Sequence, residues 1–132
     1  MRRTIVTKSS YGGITRIMFE GNLINEMERL TKLLDETIDR FESAGEQLAV
    51  DEANYNKLLN KRALEERAHG TPVTFISQFL KGEDEIASLR LKRDISESKK
   101  NTLNEKINSI KLQLRIIDAQ ATREWSTRPD NY

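Results

Sequence analysis

The sequence predicts a mainly α protein: a long antiparallel helical hairpin or coiled coil, with a short N-terminal extended arm or β-hairpin. Three observations predict it. Apolar residues recur in alternating steps of four and three along two long stretches. The only two prolines, Pro72 and Pro129, leave both stretches free of that helix breaker. Charged residues make up 33% of the chain and hydrophobic residues 36%, a balance that suits helices burying one stripe each. The expected organisation is an arm over residues 1–19, a hairpin over 20–125 with helices at about 22–68 and 72–125, and a flexible tail over 126–132.

Residues 1–19 hold two short β-branched and apolar runs, Thr4 to Thr7 and Ile14 to Phe19, around a turn at Ser9-Ser10-Tyr11-Gly12-Gly13. This pattern fits a small β-hairpin, which needs docking or association to persist in water. It fits a basic arm equally well, since Arg2, Arg3, Lys8 and Arg16 face no acid there.

The first helix is expected to start with Asn22 as its cap. Its seam reads Leu23, Met27, Leu30, Leu34, Phe41, Ala44, Leu48, Tyr55 and Leu58, with Thr37 and Asp51 in the two skipped slots. Gly45 lies inside and costs about 1 kcal/mol relative to alanine. The register runs through it without a slip, so a single helix is expected. Gly70 suits a left-handed C-terminal cap, Thr71 an N-cap and Pro72 a first helical position. A turn this short makes the flanking helices antiparallel neighbours.

The second seam reads Phe75, Phe79, Gly82, Ile86, Leu89, Arg93, Ser96, Lys100, Leu103, Ile107, Ile110, Leu114, Ile117 and Ala121. Gly82 either bends the helix or cuts off a short one around Phe75 to Leu80. The polar run Arg93, Ser96, Lys100 would be costly if buried without partners. Asp51, the polar slot of the first seam, reads as too near the turn to meet it. The run therefore points to an oligomer or an anionic ligand. Candidate oligomer contacts are Phe75, Phe79, Leu103, Ile107, Ile110, Leu114 and Ile117, with Trp125 just past the seam.

The net charge of +1 hides a segregation: residues 20–56 carry a net −7, while 1–19 and 57–132 each carry +4. An acidic helix beside basic partners follows. The absence of cysteine excludes disulfides, thiolate metal sites and cysteine nucleophiles. The apolar run after Met1-Arg2-Arg3 is too short for a signal peptide, and no window approaches the roughly 20 apolar residues of a membrane span. A cytoplasmic protein with no membrane contact is expected.

Little chemistry is on offer. His69 is the single histidine and lies in the turn, with no metal-ligand spacing around it. Glu65 and Glu66 nearby read as ordinary helix acids. Gly12-Gly13 lacks the lysine and serine or threonine of a phosphate loop. No carboxylate pair stands out for acid–base work. No cofactor, metal site or catalytic residue is expected, and the chain reads as a non-enzyme. The best functional candidate is a basic surface on the last helix. Lys92, Lys99 and Lys106 repeat every seven residues beside the seam, and Arg93, Lys100, Lys111 and Arg115 extend it. Such a stripe suits phosphate contacts without sequence reading. Arg2 and Arg3 add a second basic element. The competing reading is that lysines beside a coiled-coil seam keep it soluble or pair across it.

A resemblance joins these residues. The run from Leu59 to Arg67 passes through a glycine-containing turn to Phe79-Leu80-Lys81-Gly82. Leu89 to Glu97 and Ile107 to Ile117 follow, ending at Arg123-Glu124-Trp125. Over about residues 50–125 this resembles small helical proteins of phage replication and recombination modules. It is loosely similar to the recombination mediator of T4-type phages. The resemblance implies an oligomeric accessory protein that binds single-stranded DNA and engages a RecA-like recombinase or a single-strand-binding protein. The alternative is a structural or adaptor coiled coil, acting by self-assembly, as a chaperone-like clamp or as an inhibitor of a host protein, with no nucleic-acid binding.

Overall fold

The computed structural model describes residues 21–126. The expected arm or β-hairpin over 1–19, with Arg2 and Arg3, and the expected tail after Ser126 lie outside them. The described residues form three helices and no strand: α1 at Gly21–Ala68, α2 at Val73–Lys81 and α3 at Asp84–Ser126. No helix among them is long and apolar enough to cross a membrane.

Helix α1 runs through Gly45 without a break. Asn22 does not cap it as expected, because Gly21 before it is already helical. Its end is a Schellman motif. Gly70 takes φ 87°, its N–H bonds to the Arg67 carbonyl at 3.1 Å, and the Thr71 N–H reaches the Glu66 carbonyl at 3.1 Å. Only glycine adopts this conformation without steric cost. Thr71 does not cap the next helix as expected. Its hydroxyl turns back to the Glu66 carboxylate at 2.9 Å, and Pro72 occupies the N-cap position of α2.

Gly82 does cut the second helix in two. Arg90 covers the exposed end of α2 with a hydrogen bond to the Lys81 carbonyl. Asp84 and Glu85 begin α3, where acids favour the positive end of the helix dipole. The break corrects the expected seam. Freed from α3, helix α2 buries Ile76 and Leu80 and leaves Phe75 and Phe79 exposed, one position away from the predicted phase.

The chain divides into two compact units. In the unit over residues 38–105, the C-terminal part of α1 and the N-terminal part of α3 pack as an antiparallel helical hairpin. Contacts at Tyr55–Arg93 and Arg62–Glu85 show the pairing. The hairpin is closed by an apolar cluster of Ile76, Leu80 and Ile86, packed against Tyr55, Leu58, Leu59 and Ala63. Ile86 is fully buried. Arg62 spans the same end, with Glu83 at 2.8 Å and Glu85 at 2.6 Å. In the other unit, the described residues are 21–37 and 106–126. There α1 buries Leu23, Leu30 and Thr37, and α3 buries Ile107 and Ile110. The Thr37 hydroxyl satisfies itself on the Leu33 carbonyl, one turn back.

The predicted seam of α3 agrees with its burial from Ile86 onward. Its residues from Ile86 to Ala121 are all buried or half-buried, although three of the first six, Arg93, Ser96 and Lys100, are polar. Heptad spacing therefore located the inward face even where the residues on it are charged.

Candidate functional site

The most distinctive constellation lies in the 38–105 unit, where the two seams turn polar together. Asp51 sits on an inward slot of α1 and is only 2% exposed. A bare carboxylate there would be strongly destabilising. It is instead surrounded by donors. The Ser96 hydroxyl from α3 donates to Oδ2. Gln47, one turn back on α1, donates to Oδ1 at 3.0 Å. The Lys92 ammonium lies 3.6 Å from the same oxygen. The Ser96 hydroxyl, above all, holds the Asp51 carboxyl below its ordinary pKa. Burial pulls the other way, and Gln47 and Lys92 reinforce the lowering.

The rest of the polar run finds partners on α1 as well. The Arg93 guanidinium stands 4.6 Å from the centre of the Tyr55 ring and bonds to Asp94. The Lys100 ammonium stands 5.6 Å from the centre of the Phe41 ring, and its stem runs past Gly45. Cations over aromatic faces are favourable, more so when partly shielded from water. All three members of the run, Arg93, Ser96 and Lys100, are thus engaged within one chain.

This corrects the expectation that Asp51 lies out of register and that the run requires an oligomer or an anionic ligand. In an antiparallel hairpin, residues about equally far from the turn meet. Asp51 and the stretch from Lys92 to Ser96 lie at comparable distances from Gly70–Pro72 and so face each other. Asp51 and Gln47 were missed as partners. The available signal was the polar slot at Asp51 in one seam and the polar run in the other.

The expected basic stripe is partly committed. Lys92 is exposed but pairs with Asp51, while Arg93 and Lys100 are half-buried over aromatic rings. Lys99 is exposed in the same unit. In the other unit, Lys106, Lys111 and Arg115 are exposed. Acids share the helix with the stripe: Asp94, Glu97 and Glu105 are exposed on α3.

The candidate oligomer contacts divide in the same way. Ile107 and Ile110 are buried within the chain, and Leu103, Leu114 and Ile117 are half-buried. Trp125 is 58% exposed, Phe75 63% and Phe79 59%. At the start of α2, Val73 is 70% exposed. One short helix therefore anchors itself by Ile76 and Leu80 and turns three apolar side chains outward. His69 is exposed in the turn, and among the described residues no group of three or more metal-binding side chains comes together.

No family model matches the chain, and neither a curated protein nor a solved structure matches it.

Proposed function

We propose that this chain is a non-enzymatic helical interaction protein, a coiled-coil adaptor whose hairpin holds α2 out to a protein partner. One observation carries the reading. Antiparallel helices can be joined by a connection of a few residues. This chain instead inserts a nine-residue helix and spends only one side of it on its own core. Val73, Phe75 and Phe79 remain outside. Clustered exposed aromatic residues on an anchored element suit a protein contact, because they bring large apolar area at small entropy cost.

The partners found for Arg93, Ser96 and Lys100 support the same reading. A basic surface committed to its own acids and rings has less to give to phosphates. Photo-crosslinking groups at Phe75 and Phe79, introduced into the full chain in its native cell extract, test the proposal. A discrete adduct is expected from these positions and not from the exposed polar positions Ser77 and Gln78. Absence of a discrete adduct at Phe75 and Phe79 would overturn it.

A second reading keeps one specific support: Lys99, Lys106, Lys111 and Arg115 are exposed. In this reading the chain is an oligomeric accessory protein of phage DNA replication or recombination, and it holds single-stranded DNA, a recombinase or a single-strand-binding protein through its basic helix. Anisotropy of a labelled single-stranded oligonucleotide separates the two. The adaptor predicts no binding even at low salt. The accessory protein predicts binding that falls steeply with salt and weakens in a Lys99→Glu, Lys106→Glu variant.

A further inference from the structure

Helix α2 is fastened to the hairpin by polar contacts at its two joints, and along its body by two side chains only. At the entry joint, Gly70 closes the end of α1 with its φ of 87°. Thr71 then bonds to Glu66 twice, through its N–H at 3.1 Å and its hydroxyl at 2.9 Å. At the exit joint, Arg62 of α1 holds Glu83 at 2.8 Å and Glu85 at 2.6 Å. These contacts all lie outside Val73–Lys81.

The body of α2 is held differently. Ile76 and Leu80 are buried, and every other residue of the helix is exposed. Among the described residues, no hydrogen bond or ion pair joins a side chain of α2 to either long helix. Arg90 reaches only the backbone carbonyl of Lys81, the last residue. A helix of nine residues is marginal alone in water, where about 12–15 are needed. Its persistence therefore rests on two aliphatic side chains set against Tyr55, Leu58, Leu59, Ala63 and Ile86.

We infer that α2 is a tethered lid, which opens and recloses as a unit over the apolar end of the hairpin while both joints stay fastened. Opening gives up the burial of Ile76 and Leu80. Unfolding of the whole 38–105 unit gives up the packing of α1 on α3 as well, with Asp51 and its donors. The two events therefore differ widely in cost, and elements at the low end of that range are where proteins draw their moving parts. Because the joints hold, the open segment is a short loop, and a loop of ten residues closes within roughly 10–100 ns. Opening uncovers Leu58, Leu59 and Ile86, an apolar surface whose occupant in the closed chain is α2 itself. The closed lid displays Phe75 and Phe79 in one fixed phase. The open lid frees both sides of α2 and bares the end of the hairpin. The inference stands on the packing of α2 and does not depend on whether Phe75 and Phe79 meet a partner.

Residue-resolved hydrogen exchange of the full chain by NMR, at several low urea concentrations, tests the lid. After correction for intrinsic rates, amides from Ser77 to Lys81 should exchange at least about tenfold faster than those of Leu58, Leu59, Leu89 and Arg90. They should respond little to urea, because a local opening exposes little surface, whereas the long-helix amides speed up with it. Arg62→Gln removes a contact that the closed and open lid share, so it should leave the α2 rates unchanged. If α2 amides exchange as slowly as that of Leu58, with the same urea response, α2 unfolds only with the whole unit and the proposal is overturned. Exchange of α2 at the rate of an unstructured peptide would overturn it as well. So would a faster exchange of α2 in Arg62→Gln, because the joint would then open with the helix.

Discussion

The two compact units hold their helices together by different means. In the unit with described residues 21–37 and 106–126, the buried seam is apolar apart from Thr37, which bonds within its own helix. In the 38–105 unit, the seam is split between an apolar cluster around Ile86 and a polar stretch around Asp51. The difference shows a division of labour. Apolar rows supply cohesion but tolerate sliding by a heptad. A buried carboxylate with fixed donors tolerates one alignment only, and register is the best attested use of such a group. The polar stretch is thus suited to fixing the alignment of the hairpin.

Apolar truncation should have the largest effect, and in both units alike. Ile86→Ala and Leu30→Ala remove fully buried side chains, and each should cost about 2–5 kcal/mol in urea unfolding. Unequal costs would show that one unit repacks around the gap.

The polar stretch should give a smaller loss that depends on pH. Ser96→Ala removes the main donor to Asp51, so the melting temperature should drop, though less than in Ile86→Ala. The pKa of Asp51 is lowered in the folded chain. Its contribution is therefore fully present above the unfolded value of about 4 and is lost as pH falls through the lowered folded value. Melting curves at falling pH should show an acid loss that shrinks in Asp51→Asn. An unchanged acid loss would place the sensitivity elsewhere.

Gly45 offers a gain. A Cβ there would meet only the Lys100 stem at 3.8 Å, an ordinary contact. Gly45→Ala should raise stability by about 1 kcal/mol, the usual helix preference for alanine, as read in the urea midpoint. The smallest effect should come from α2. Phe75→Ser with Phe79→Ser should change folding stability by no more than about 0.5 kcal/mol per site, while Ile76→Ala, one position away, should cost several times as much.

Much of this fold was legible in the sequence because helix periodicity is a local property. Alternating steps of three and four marked the inward face of α3 from Ile86 to Ala121, charged members included. Gly70 marked the end of α1 because a left-handed residue was needed there. The phase of α2 was not legible. Gly82 breaks the helix, and after a break the apolar face is chosen by the cluster it packs on, so Ile76 and Leu80 are buried in place of Phe75 and Phe79. The pairing of Asp51 with Ser96 was not legible for a related reason. It depends on how two distant helices align, and a miscount of a few residues at the turn is enough to separate them.

The central claim is that the polar stretch of α3 is satisfied by α1 of the same chain. A double-mutant cycle on Asp51→Asn and Ser96→Ala, measured by urea unfolding at several protein concentrations, tests it most directly. The double variant should lose clearly less stability than the two single losses added together, by the same margin at every concentration. Additive losses, or a coupling that grows with protein concentration, would contradict it.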